Sequence, residues 1–179
     1  VLDEAYGEKA PAAALPPLDT NRPNVLRMRT FSKAYGLAGM RCGYAIGEAE
    51  MVRAFDKVRN HFGMSRMTQE ACLAALADQA YLQEVLKKVA DCRTRITGIA
   101  RENGLTALPS ATNFVSIDCG RDGTYALAVM NALIARDVFV RKSMAPGLDR
   151  AIRISCGPEE EIAIFAEEFP GALADARRN

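Results

Sequence analysis

The chain has 179 residues, 49% of them hydrophobic and 25% charged, the balance of a folded globular protein with ample material for a core. This excludes a disordered or collagenous chain, and no apolar run approaches the ~18 residues of a membrane-spanning helix. Lys and Arg total 23 against 22 Asp and Glu, a net charge of +1, so no broad field recruits nucleic acid or an anionic membrane, and any bound anion needs a local site.

In chain order, Val1-Leu2 reads as the end of a buried strand whose beginning lies upstream, running into the polar loop Asp3-Glu4-Ala5-Tyr6-Gly7. Residues 8–24 carry Pro11, Pro16, Pro17 and Pro23 and predict an irregular covering excursion with a turn of helix at 11–15. Strands are predicted at 25–30 and 40–47, with a glycine-punctuated loop over 31–39 between them. Apolar spacing then predicts helices over 49–60 and 68–76, and a long one over 81–103 that Gly104 stops in a left-handed cap. Beyond it come a strand at 114–119, a helix at 124–136, strands at 138–141 and 151–156, and a helix at 158–169. Pro158 and the acidic run Glu159-Glu160-Glu161 mark the start of that last helix.

The pattern divides in two: residues 1–84 as the tail of an α/β domain, and 85–179 as a small α+β domain, joined by the long helix. Five cysteines stand at 42, 72, 92, 119 and 156, an odd number with no CxxC pair, so reduced thiols and a cytoplasmic setting are expected. His61 is the only histidine, and no metal is expected.

Lys33 lies in a glycine-flanked loop with Thr30 and Ser32 before it and Arg41 after it. It is either a surface lysine in a turn or an amine beside a phosphate site. Asp3, at the C-terminal end of a parallel-type strand, is either a turn starter or a carboxylate where α/β sheets hold ligands, and Tyr6 offers a phenol in the same loop. In the second half, Ile152-Arg153-Ile154-Ser155 places one arginine among apolar residues, where it calls for an anion or a structural ion pair, and Arg141 ends the preceding predicted strand.

Two segments in order, Val1-Leu2-Asp3-Glu4-Ala5-Tyr6 and Thr30-Phe31-Ser32-Lys33-Ala34-Tyr35-Gly36-Leu37-Ala38-Gly39-Met40-Arg41-Cys42-Gly43-Tyr44, together resemble the class I/II (fold-type I) aminotransferases that use pyridoxal 5'-phosphate, in particular the histidinol-phosphate aminotransferases. The resemblance runs along essentially all of this chain but only the C-terminal half of the family's length. It implies the C-terminal part of a cofactor-binding large domain, a mixed sheet with helices, followed by a small α+β domain. Lys33 would carry the cofactor and shuttle the substrate's Cα proton; Asp3 would pair with the pyridine nitrogen and Tyr6 with the ring oxygen. Ser32 and Arg41, with Thr30 in a lesser role, would bind the phosphate, while Arg153 and Arg141 would meet the substrate's anion. Asn113 would shape the backbone at a strand start. His61-Phe62-Gly63 departs from the family's proline-phenylalanine-asparagine turn, which leaves the substrate open. The implied partners are a small amino donor, a 2-oxo acid and a second identical subunit. A decarboxylase or carbon-sulfur lyase of the same fold, and a non-catalytic fragment serving as an interaction module, are the alternatives.

Overall fold

The computed structural model describes residues 1–178 and divides into two compact units, Val1–Leu86 and Lys87 onward. The first unit holds a three-stranded sheet in the order β1 (Leu2–Asp3), β2 (Leu26–Thr30), β3 (Gly43–Gly47). β1 runs parallel to β2, with Asp3 opposite Met28, and β2 runs antiparallel to β3, with Thr30 opposite Gly43. Val1 and Leu2, expected to be buried, are exposed, because β1 has a strand neighbour on one side only. The excursion after β1 contains short 3-10 turns at Gly7–Lys9 and Ala12–Ala14, the second where a helical turn was expected.

β3 begins later than predicted. Ala38–Met40 forms a 3-10 turn, and Arg41 closes it in the left-handed region at φ 53°, so residues 40–42 cannot pair as strand. The helix expected over 49–60 is α1 (Ala49–Ala54) followed by a 3-10 turn at Phe55–Lys57. The next helix, α2 (Arg66–Ala77), starts two residues earlier than predicted because Ser65 caps it, its hydroxyl accepting the Thr68 N–H at 3.1 Å. α3 (Gln79–Glu102) is the long helix, and Gly104 follows it at φ +71°, as the sequence required.

The second unit is built on an antiparallel sheet, β4-β5-β7-β6, with β4 (Thr106–Ala107), β5 (Phe114–Asp118), β6 (Arg141–Lys142) and β7 (Ala151–Ser155). Two helices complete it: α4 (Gly123–Ile134), capped by the Asp122 carboxylate on the Tyr125 N–H, and α5 (Glu159–Ala176). Inward residues of both layers, among them Ile117, Ile152, Val129, Leu133, Phe165 and Phe169, form one continuous core with Ile96 and Ile99 of α3.

Three sequence expectations for this unit need correction. β4 was not foreseen, because two residues carry no periodicity. The strand predicted at 138–141 is displaced to Arg141–Lys142: Asp137 adopts a left-handed φ of 60°, and the Val138 N–H returns to the Leu133 carbonyl at 3.0 Å to close α4, so Val138 and Phe139 belong to the cap. α5 runs on to Ala176, through Pro170, because its last turns bury Ala172, Leu173 and Ala176 in the core. Among the described residues no helix is long and apolar enough to cross a membrane, and no group of His, Cys, Asp and Glu is arranged to hold a metal ion.

Candidate active site

Strand alternation places two acidic neighbours on opposite faces of the first sheet. Asp3, in register with Met28, is exposed at the C-terminal end of β1, and its carboxylate accepts the Ala5 N–H at 2.9 Å. Glu4 points the other way and is buried, taking Arg27 Nε at 2.5 Å and Arg29 Nε at 3.0 Å. Burial alone would raise the Glu4 carboxyl, but the two arginine hydrogen bonds outweigh it and hold the group below the usual carboxylate range. Arg27 also donates to the Pro17 carbonyl at 3.1 Å, so the same cluster pins the excursion of residues 8–24 to β2.

Sequence reading missed this cluster. Its signal was present in the Asp3-Glu4 pair facing Arg27-x-Arg29, since two basic residues at strand period share one face and ask for a common anion.

The chain then turns at Gly7–Lys9, where Tyr6 presents its ring to two amines: Lys33 Nζ lies 5.4 Å and Lys9 Nζ 5.9 Å from the ring centroid. Glu8 buries both carboxylate oxygens without a hydrogen-bond partner among the described residues. Burial raises the Tyr35 phenol, and the charges of Tyr44 and Glu8 push it the same way against Arg29 and Gln79.

Lys33 is aimed by its neighbours. Phe31 and Ala34 are buried, Phe31 packing in tilted contact with Tyr35 and Tyr44 at 5.1 and 5.7 Å between ring centroids. The Phe31 N–H donates to the Cys42 carbonyl and its carbonyl accepts the Leu37 N–H, which cross-braces both ends of the loop. The Gly36 N–H closes on the Lys33 carbonyl with Gly36 at φ +70°, a turn that a side chain there would strain. Lys33 is thus left half-buried between two anchored residues.

Thr30 Oγ1 lies 2.9 Å from Ser32 Oγ and 3.2 Å from the Cys42 carbonyl, and accepts the Ser32 N–H at 3.0 Å, so its hydroxyl is engaged in shaping the loop. Arg41 is exposed. Its Nη1 donates to the Ala38 carbonyl at 2.8 Å, and it has no carboxylate partner among the described residues.

In the second unit, Arg141 and Arg153 are cross-strand neighbours of β6 and β7 and share one sheet face. Arg141 opens β6, where the sequence had put it at a strand's end. The Arg153 guanidinium lies 4.5 Å from the Phe114 ring centroid, and its buried Nε has no hydrogen-bond partner among the described residues. Neither arginine has a carboxylate partner among the described residues, so this face carries two cations with no structural anion.

Comparison with known proteins decides the family. The model of the family "Aminotransferase class I and II" matches residues 1–169. The chain belongs to the class I and II aminotransferases. It is 42% identical over 174 residues to a histidinol-phosphate aminotransferase of Bacillus velezensis, a match covering 93% of this chain and 48% of that protein. It also matches that of Syntrophotalea carbinolica at 40% identity, over 98% of this chain and 48% of that protein. The crystal structure of histidinol-phosphate aminotransferase from Sinorhizobium meliloti in complex with pyridoxal 5'-phosphate superposes with a TM-score of 0.93 at 51% identity, covering 97% of this chain and 48% of that one. The chain thus spans about half the length of the curated relatives it matches. This class I and II aminotransferase chain keeps the expected fold, a mixed α/β architecture shared with those neighbours.

Proposed function

We propose that this chain supplies the lysine-bearing part of a pyridoxal 5'-phosphate-dependent aminotransferase that moves an amino group between histidinol phosphate and a 2-oxo acid. The observation that carries the reading is the donor set gathered on one unit: a carboxylate at a strand end, an amine held over a phenol ring, the Thr30–Ser32 hydroxyl pair beside it and an arginine without an acidic partner among the described residues. That set suits a pyridine ring bearing a phosphate. When bound, the cofactor supplies an electron sink for the substrate's Cα.

The chain's own residues do the rest. Lys33 would hold the cofactor through Nζ and would move the proton at the substrate's Cα. The Asp3 carboxylate would pair with the ring nitrogen and favour its protonated form. The Tyr6 hydroxyl would donate to the ring oxygen. Ser32 and Arg41 grip the phosphate, Arg41 by charge-assisted hydrogen bonds, while Thr30 sets the Ser32 backbone. Arg153 and Arg141 receive the anionic group of the substrate; the unpartnered Arg153 Nε and the names of the relatives support a phosphorylated donor.

The working enzyme is a homodimer of the intact polypeptide in the cytoplasm. Unbridged cysteines support that compartment, and the apolar side chains exposed at Val58, Phe62 and Met67 support a covered face on the first unit.

Borohydride reduction of the intact protein with pyridoxal 5'-phosphate, followed by peptide mass spectrometry, tests the lysine. A stable adduct on Lys33 is expected, with Lys33→Ala abolishing both adduct and half-reaction; Lys33→Ala that transaminates at the wild-type rate overturns the reading. Product analysis then separates the alternatives: amino transfer from histidinol phosphate yields a 2-oxo product, whereas a decarboxylase of the same fold, offered a phosphorylated amino acid, yields carbon dioxide.

A further inference from the structure

α2 buries two side chains, Thr68 and Cys72, one turn apart on a single face and about 6 Å apart along the axis. The segment they face is the one that carries Arg41. Thr68 Oγ1 donates to the Met40 carbonyl at 3.4 Å, and two residues further, a span of at most ~7 Å, comes Cys42. Matching these two spacings sets Cys72 opposite Cys42. Both thiols are 7% exposed, they share one buried cluster with Phe31, and Cys42 is among the groups that act on the Cys72 thiol.

The other cysteines have different surroundings. Cys119 lies in the core of the second unit, where burial pushes its thiol to about 11, and the Cys156 thiol donates to the Val89 carbonyl at 3.9 Å.

We propose that Cys42 and Cys72 are a convertible thiol pair, closed to a disulfide by hydrogen peroxide, and that the disulfide staples α2 to the segment bearing Arg41. In the first step one sulfur attacks the peroxide O–O bond, giving a sulfenic acid and one water. The second sulfur then displaces that hydroxyl, which leaves as water with the remaining thiol proton, and the S–S bond forms. Two thiols and one peroxide become one disulfide and two waters; each sulfur gives up one electron and the peroxide takes two.

Contact, rather than thiolate character, selects this pair. Burial, with the neighbouring Cys42, raises the Cys72 thiol, so the reaction is slow and follows transient opening of α2. Its effect reaches the lysine loop, because the Cys42 carbonyl accepts the Phe31 N–H and lies 3.2 Å from the Thr30 hydroxyl. That effect on cofactor binding rests on the role given to Arg41 above; the disulfide itself does not.

The test uses the intact protein, treated with hydrogen peroxide, blocked with iodoacetamide and digested with trypsin without reduction. Cleavage after Lys and Arg puts Cys42 in peptide 42–53 and Cys72 in peptide 67–87, each with a single cysteine. The expected product is these two peptides joined, lighter than their sum by two hydrogens and separated by a phosphine reductant. Cross-links that instead join Cys92, Cys119 or Cys156, or Cys42 and Cys72 both still alkylated once Cys92 is consumed, overturn the proposal. The mapping is done on wild-type protein, so it does not depend on a variant folding. In parallel, oxidised protein is expected to bind pyridoxal 5'-phosphate about tenfold more weakly, recovering on reduction. A mapped disulfide with unchanged affinity overturns the coupling to Arg41 and leaves Lys33 trapping, read separately, to judge the assigned function.

Discussion

At the scale of single residues, the neighbours Asp3 and Glu4 show how one strand gives two carboxylates different duties. Asp3 faces outward with its charge available, whereas Glu4 is buried and spent on Arg27 and Arg29. Removing one partner of a buried ion pair leaves the others uncompensated, so Glu4→Gln is expected to cost about 3–5 kcal/mol. Its pH dependence has a defined sign. The folded-state carboxyl titrates below its unfolded value, so the stabilisation is fully present above an ordinary carboxylate pKa and is lost as pH falls through the lowered folded value. Urea unfolding of the first unit, followed from neutral pH into the acid range, should show wild type losing its advantage over Glu4→Gln on the acid side. An advantage that stays constant, or grows, in acid would remove Glu4 as the titrating group. Of the whole candidate site this cluster was the least legible, since the residues that look catalytic, Asp3, Tyr6 and Lys33, hold attention while their supports are ordinary charged residues.

At the scale of elements, periodicity found the helices, but tertiary contacts set where they end. The prediction stopped α5 before Pro170, whose missing N–H and ring cost a helix interior about 3 kcal/mol. Burying even one or two large apolar side chains in the next turns, at about 1.5–3 kcal/mol each, offsets that cost, and Leu173 is buried there beside Ala172 and Ala176. A strap adds to it. Arg136, just beyond α4, reaches Glu168 at 3.2 Å and Asp175 at 2.5 Å, ion pairs on either side of the proline. Its guanidinium crosses Gly171, where a Cβ would stand 3.4 Å from Nε and Nη2, so glycine leaves it room. The Asp175 carboxyl is lowered by its hydrogen bond to Arg136 first and by that residue's charge second. Arg136→Ala is therefore expected to fray α5 beyond Pro170, with amides 171–176 exchanging faster while those of 160–168 keep their protection. Uniform loss along α5 would mean that the strap holds the whole helix, and no change would mean that the buried face suffices alone. Neither Arg136 nor Gly171 stands out in sequence, because a strap joins residues 39 apart.

At the scale of the whole molecule, the two units carry very different cores. Among the described residues, nineteen buried ones form the continuous core of the second unit, whereas the buried cluster of the first is Phe31, Cys42 and Cys72 with Tyr35, Leu37 and Tyr44 against it. Stability follows apolar area removed from water, so the second unit has the larger reserve. The first instead leaves Val58, Phe62, Met67 and Leu73 open to solvent, with Phe62 at 95% exposure. The spacing of strands and helices is written in the sequence, whereas the difference in core size depends on which side chains meet. The expected consequence is sequential unfolding. In urea, amides of β5, β7, α4 and α5 should keep their protection at concentrations where those of β2 and β3 have lost it, giving two transitions. Raising the protein concentration should move the first transition alone to higher urea, because self-association that covers the open apolar face stabilises only the unit that bears it. Coincident transitions for both sets of amides would show that the large core also holds the first unit folded. A concentration dependence confined to the second transition would place the associating surface on the small domain and remove Val58, Phe62 and Met67 from it.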